Sequence, residues 1–212
     1  LYNEFLRSVK RSGIKYPASE SEKVERVLAV LPETYKDVNK LLKEDRADEA
    51  EIILKKRLSL NPGDYVAITA LGNIYQDRGD RKKALDLFKK AIKMAPDYPV
   101  AHLYLGRLYF ITRQNDKAVF ELKAFKEKMA ILPDMDAETK KMYIGGLAYL
   151  SEVYFTLERS GECKQELDNM LRLDPKDQGT YYSMGVYYYK YEHSRSKAYQ
   201  AFKKALDLNP NS

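Results

Sequence analysis

The chain has no tryptophan, one cysteine and two histidines among its 212 residues, and no long apolar run. Each shortage removes a class of protein. A single thiol, Cys163, cannot close a disulfide within the chain, and it cannot supply the paired thiolates of a structural zinc site. His102 and His193 stand far apart with no H-E-x-x-H spacing, so a histidine metal site has no material. No apolar stretch approaches the ~18 residues that cross a bilayer, so no membrane span is expected. No glycine-rich phosphate loop is present. With tryptophan absent, the 18 tyrosines are the main large packing residues, and each hydroxyl must reach water or a partner.

Lysine and arginine number 37 against 31 acidic residues, a formal charge of +6. That favours an acidic partner only mildly. Arg81-Lys82-Lys83, Lys89-Lys90 and Lys203-Lys204 lie along helical patterns, where a solvated outer face is the simpler reading. A dense basic stripe with interleaved aromatics is missing, so a nucleic-acid partner is not expected. The single cysteine favours a cytoplasmic setting and admits a periplasmic one. The chain opens on Leu1 rather than Met, and the expectation is that something upstream was removed, a signal peptide or lipid anchor included.

What is present is periodicity. In residues 65–98, Ile68, Leu71 and Tyr75 share one helical face. Asp77-Arg78-Gly79-Asp80 then supplies breaker and cap chemistry. Ala84, Leu85, Phe88, Ala91 and Ile92 make a second face, and Pro96 stops it. Shifted by 34 residues, Leu71, Gly72, Tyr75, Ala84 and Phe88 become Leu105, Gly106, Tyr109, Ala118 and Leu122. Shifted back, Ala84, Phe88 and Pro96 become Ala50, Leu54 and Pro62. This stretch resembles the tetratricopeptide repeat (TPR) family, a 34-residue helix–turn–helix unit. Leu71-Gly72, Tyr75, Ala84, Phe88, Ala91 and Pro96 fall at the family's signature offsets, and Ile68 stands for its leading tryptophan.

The resemblance implies an all-α, right-handed solenoid of about five helix pairs, preceded by extra helices. Residues 1–30 form the N-terminal extension: a short helix broken by Gly13 and Pro17, then a Ser19/Glu22 capping box before Val24, Val27 and Leu28. The repeats run 31–64, 65–98, 99–143, 144–177 and 178–212. The first is degenerate, with Pro32 starting its helix and Asp37-Val38 where Leu-Gly belongs. The third is long: Tyr109 to Tyr154 is 45 residues, 11 over the period. The excess falls at 126–143 around Leu132-Pro133-Asp134, which predicts a projecting hairpin with both helices extended by a turn or more. The fifth carries Pro210, and no polar closing helix follows it; the expectation is a cut there or a cover from another chain.

In such arrays the first helix of each unit lines a concave groove. The resemblance therefore points to Asn73, Leu103, Arg107, Phe110, Glu152, Phe155, Tyr182, Val186 and Tyr189 as groove residues, with Val66, Thr69, Gln76, Val100, Ile111, Gly145, Ala148 and Gly179 at the same offsets. The implied function is a scaffold or adaptor that binds a protein or peptide there, with two or three apolar anchors. Some members clamp the acidic C-terminus of heat-shock chaperones with Lys, Asn and Arg. Asn73 and Arg107 suit that offset, but Thr69 or Ala70 replaces the lysine and Glu152 adds negative charge, so this clamp is not expected. Asn73 and Arg107 remain able to hold a peptide backbone or carboxylate. Self-association through the C-terminal repeat or the 126–143 hairpin is the alternative, as is a role as the targeting part of a longer enzyme.

Chemistry elsewhere is sparse. Cys163 stands where the signature has alanine and reads as an inert buried thiol. His102 reads as a packed histidine. Asp45, Asp48 and Asp80 read as helix caps. Gly145-Gly146 interrupts a helix, where each glycine costs ~1 kcal/mol against alanine. It signals close packing, a kink or room for a ligand. In the run Tyr187-Tyr188-Tyr189-Lys190-Tyr191, Tyr188 belongs to the core and Tyr189 to the groove, with Tyr187 or Tyr191 on the outside or against a further unit. No enzyme activity and no cofactor are expected from these residues.

Overall fold

The computed structural model describes residues 34–132 and 135–208, and among these all regular structure is α-helical. The expectations for residues 1–30, Pro32, the Pro133-Asp134 turn and Pro210 lie outside the described residues. The chain divides into two units, 1–67 and 68–212. The first contains α1 (Thr34–Lys43) and α2 (Ala47–Leu60), and α3 (Tyr65–Asp77) spans the boundary. The second holds α4 (Arg81–Met94), α5 (Pro99–Ile111), α6 (Asn115–Ala130), α7 (Ala137–Thr156), α8 (Ser160–Leu173), α9 (Gln178–Lys190) and α10 (Arg195–Leu208).

In the first unit, Val38 and Leu41 of α1 and Ala50 and Leu54 of α2 are buried. Arg57 is buried against Asp64, whose other carboxylate oxygen accepts the Ala67 N–H at 3.0 Å and so starts α3. Removing a charge pair from water is repaid only when each member is held this way.

One turn design joins every described pair. The N–H of the residue that opens the next helix donates back to a carbonyl near the end of the previous one: Arg46 to Leu41, Asp80 to Tyr75, Gln114 to Tyr109 and Arg159 to Tyr154. The residue before it is left-handed, with φ of +59° at Asp45, +84° at Gly79, +59° at Arg113 and +59° at Glu158. The longer fifth turn puts His193 at +48°, and Ser194 donates to the Tyr188 carbonyl. Only Gly79 has the residue type that adopts this backbone freely. Asp45 is thus the left-handed turn residue rather than a cap. Asp80 does cap, accepting the Lys83 N–H at 3.2 Å, and Asp136 and Asp177 cap α7 and α9 in the same way.

The second unit's core is a ladder of residues at the signature offsets. Ala84, Phe88, Leu105, Ala118, Leu122, Leu147, Leu150, Cys163, Leu167 and Met170 are buried. The signature glycines are packing devices. A methyl group on Gly72 would meet the Phe88 ring at 2.5 Å, and one on Gly106 would meet Leu122 at 2.7 Å. Ala84 has no exposed surface either, so Ala84→Leu should overpack the α3/α4 seam and cost about 1–3 kcal/mol. Thermal unfolding of the variant measures this, and an unchanged midpoint would contradict the packing.

The long hairpin differs from expectation. α6 has 16 residues and α7 has 20, against 14 in α8 and 13 in α9. The extra length therefore falls mainly on α7, and α6 gains less than the expected turn. α7 also runs unbroken through residues 143–144, where the sequence reading put a repeat boundary. Its crossing over α6 explains Gly146: a methyl group there would lie 2.0 Å from the Phe125 ring. Gly145 faces open space and lines no described cavity.

Candidate functional site

A recess of about 320 Å³ lies between α7 and α9. From α7 it takes Ala148, Ser151, Glu152 and Phe155, which recur at helical spacing on one face. From α9 come Tyr182, Ser183 and Val186, and α8 adds Cys163 and Leu167. Phe155 is held by Tyr191, whose ring meets it edge-on at 5.3 Å and whose hydroxyl donates to the Phe155 carbonyl at 2.8 Å. The Lys190 ammonium lies 4.1 Å from the Phe155 ring centroid. Tyr182 is 61% exposed and leans on Phe202 at 5.5 Å.

The polar atoms of this recess are mostly acceptors. Ser151 Oγ donates to the Ala148 carbonyl at 2.9 Å, and Ser183 Oγ to the Gly179 carbonyl at 3.0 Å. Each hydroxyl has spent its one proton and keeps lone pairs. Glu152 is exposed and makes no hydrogen bond or ion pair to any described residue. Burial pushes the Cys163 thiol up to about 11, so it stays protonated and unreactive.

Four of the nine sequence-assigned groove residues, Glu152, Phe155, Tyr182 and Val186, thus share one recess. The others do not join it. Leu103 is buried in the core. Arg107 Nη2 donates to Asp77 at 2.9 Å, and Asn73 Nδ2 donates to the same carboxylate at 3.2 Å. Asn73 Oδ1 and both ends of the Gln76 amide are buried with no hydrogen-bond partner. Phe110 lines a second recess with Ile111, Arg113, Asn115 and Thr156, and Tyr189 a third with Lys190, His193 and Arg195.

The tetratricopeptide repeat family profile matches residues 75–130, covering the end of α3 and all of α4, α5 and α6. Residues 75–130 belong to the tetratricopeptide-repeat family. Anaphase-promoting complex subunit 3 of Schizosaccharomyces pombe is 34% identical to the chain over 93 residues, which cover 44% of this chain and 14% of that protein. The structure resembles Pseudomonas aeruginosa PilF with a TM-score of 0.72 at 17% identity, over 88% of this chain and 78% of that one. It also resembles YrrB, described as a TPR protein with an unusual peptide-binding site, with a TM-score of 0.61 at 20% identity, over 92% and 94%. At these identities the structural likeness is one of fold. The chain spans 12 to 38% of the length of the curated relatives it matches.

Within this repeat register, sequence reasoning missed Ser151, Cys163, Leu167 and Ser183 as recess residues. Ser151 and Cys163 occupy the signature's small-residue positions, so a departure from Gly and Ala was the available signal. The tyrosine run also differs from expectation. Tyr187 is buried, and Tyr191 turns inward onto Phe155, so neither is an outward contact. His102 is fully engaged, with Nδ1 2.7 Å from Glu121 and Nε2 3.0 Å from the Pro96 carbonyl. Among the described residues no group of three or more His, Cys, Asp or Glu could hold a metal, and no helix is long and apolar enough to cross a membrane.

Proposed function

We propose that this TPR chain is a protein-interaction scaffold that holds a partner polypeptide along its first helices, with α7 and α9 as the principal seat. The supporting observation is the 320 Å³ recess, which joins apolar walls to an unpaired carboxylate. Its volume is at the small end for ligand pockets, the scale of one or two side chains. Phe155, Tyr182 and Val186 suit an anchoring side chain. Asn73 and Arg107, joined through Asp77, offer a polar station on α3 and α5. YrrB, with its peptide-binding site on the same fold, supports this by analogy.

The test is calorimetry with a partner captured by the intact chain. Phe155→Ala with Tyr182→Ala should weaken binding at least tenfold, because buried aromatic anchors dominate such interfaces. Arg107→Ala with Phe110→Ala should weaken it less, since Arg107 is already paired. Unchanged affinity in both variants would overturn the groove assignment.

One feature favours a second reading, self-association. Tyr199 and Leu206 of α10 are exposed at the offsets where Leu85 and Ile92 of α4 pack against the core. Ile131 at the hairpin tip is also exposed. Light scattering across concentrations distinguishes the readings: a constant monomer mass supports the adaptor, and a rising mass abolished by Tyr199→Glu supports association.

A further inference from the structure

Resting on the groove reading above, we propose that the recess between α7 and α9 receives an arginine side chain of the partner polypeptide. Glu152 offers two carboxylate oxygens and has no cation on it among the described residues. Ser151 and Ser183 have already donated their protons to the Ala148 and Gly179 carbonyls, so toward a ligand they can only accept. A buried carboxylate or phosphate would meet lone pairs on every side except at Tyr182 and the weak Cys163 thiol. A group rich in N–H donors meets partners instead.

The rest of the recess is apolar and aromatic. The ligand group must therefore carry its donors on an apolar stem. Arginine does this: its methylenes can lie along Val186, Leu167 and Ala148 while the guanidinium reaches Glu152. Its planar head can also stack on the exposed Tyr182 ring, which a lysine ammonium does less well. The fork geometry matches a carboxylate in two parallel hydrogen bonds. Lys190 is no rival for Glu152, because its ammonium is placed over the Phe155 and Tyr191 rings at 4.1 and 4.9 Å and does not line the recess.

The experiment uses the intact chain and a random twelve-residue peptide library displayed on phage. Bound sequences should be enriched in arginine. Synthetic copies are then measured by fluorescence anisotropy with that arginine kept, or replaced by citrulline or methionine. Citrulline should weaken binding about tenfold, the size of one charge-assisted hydrogen bond, and methionine at least as much. Glu152→Gln should weaken the arginine peptide about tenfold and leave the citrulline peptide unchanged. Glu152 is exposed, so this variant should fold as the parent does, which its circular dichroism checks. Peptides that bind without arginine, ignore Glu152→Gln and are lost in Phe155→Ala would overturn the arginine assignment and leave the groove reading standing. Binders indifferent to Phe155→Ala and Tyr182→Ala, or no binders at all, would overturn both.

Discussion

Replacing Phe125 with alanine should destabilise the second unit by about 3–5 kcal/mol, the range for truncating a fully buried phenylalanine. The ring has no exposed surface. It lies against Gly146 where α7 crosses α6, and meets Tyr143 edge-on at 5.9 Å. Helices this close cannot collapse further into the void, because their backbones are already near contact. The cavity term is therefore retained on top of the lost transfer energy. Phe120 is on the same helix but 71% exposed, and Phe120→Ala should change stability by no more than about 0.5 kcal/mol. Denaturant unfolding of the two variants makes the comparison. Equal losses would show that the α6/α7 crossing is not packed as described.

The second large effect concerns charge. Lys126 Nζ donates to both oxygens of Glu166, at 2.6 and 2.9 Å, joining α6 to α8 across 40 residues of sequence. The Glu166 side chain is only 4% exposed, and its remaining donor is Asn169 at 3.0 Å. Lys126→Met therefore strands a buried carboxylate, at a cost of about 3 kcal/mol, the low end for breaking a buried pair because the lysine itself is a quarter exposed. Adding Glu166→Leu should restore most of that loss, since a buried ion pair replaced by apolar residues is often neutral. A double variant no more stable than Lys126→Met alone would contradict the pairing.

The repeat, its period and its packing offsets were legible in the sequence because they depend on local periodicity and side-chain size. Gly72, Ala84, Phe88 and Leu122 occupy the places their spacing implies. Features set by neighbouring units were not legible. Lys126 sits at the offset of Ile92, and nothing near it in sequence announces Glu166. The left-handed turn residues were recognisable only at Gly79, since Asp45, Arg113 and Glu158 carry no glycine signal. Groove offsets behaved likewise. Leu103 and Tyr182 share the fifth position of their units, yet Leu103 is 8% exposed and Tyr182 61%. An offset assigns a residue to a helix face; the helices packed on that face decide whether it stays open. Leu103 joins the buried core cluster of the second unit, whereas Tyr182 leans on Phe202 at the surface.

The most direct test of the account is site-specific photo-crosslinking in the intact chain, with a benzophenone amino acid at position 182 or, as control, at position 120. Both positions are exposed aromatic sites, but only the first lines the recess between α7 and α9. Position 182 should give crosslinks to a partner polypeptide that a selected arginine peptide competes away, and position 120 should give none. Crosslinks from position 120 alone, or crosslinks from 182 that the peptide leaves untouched, would contradict the account.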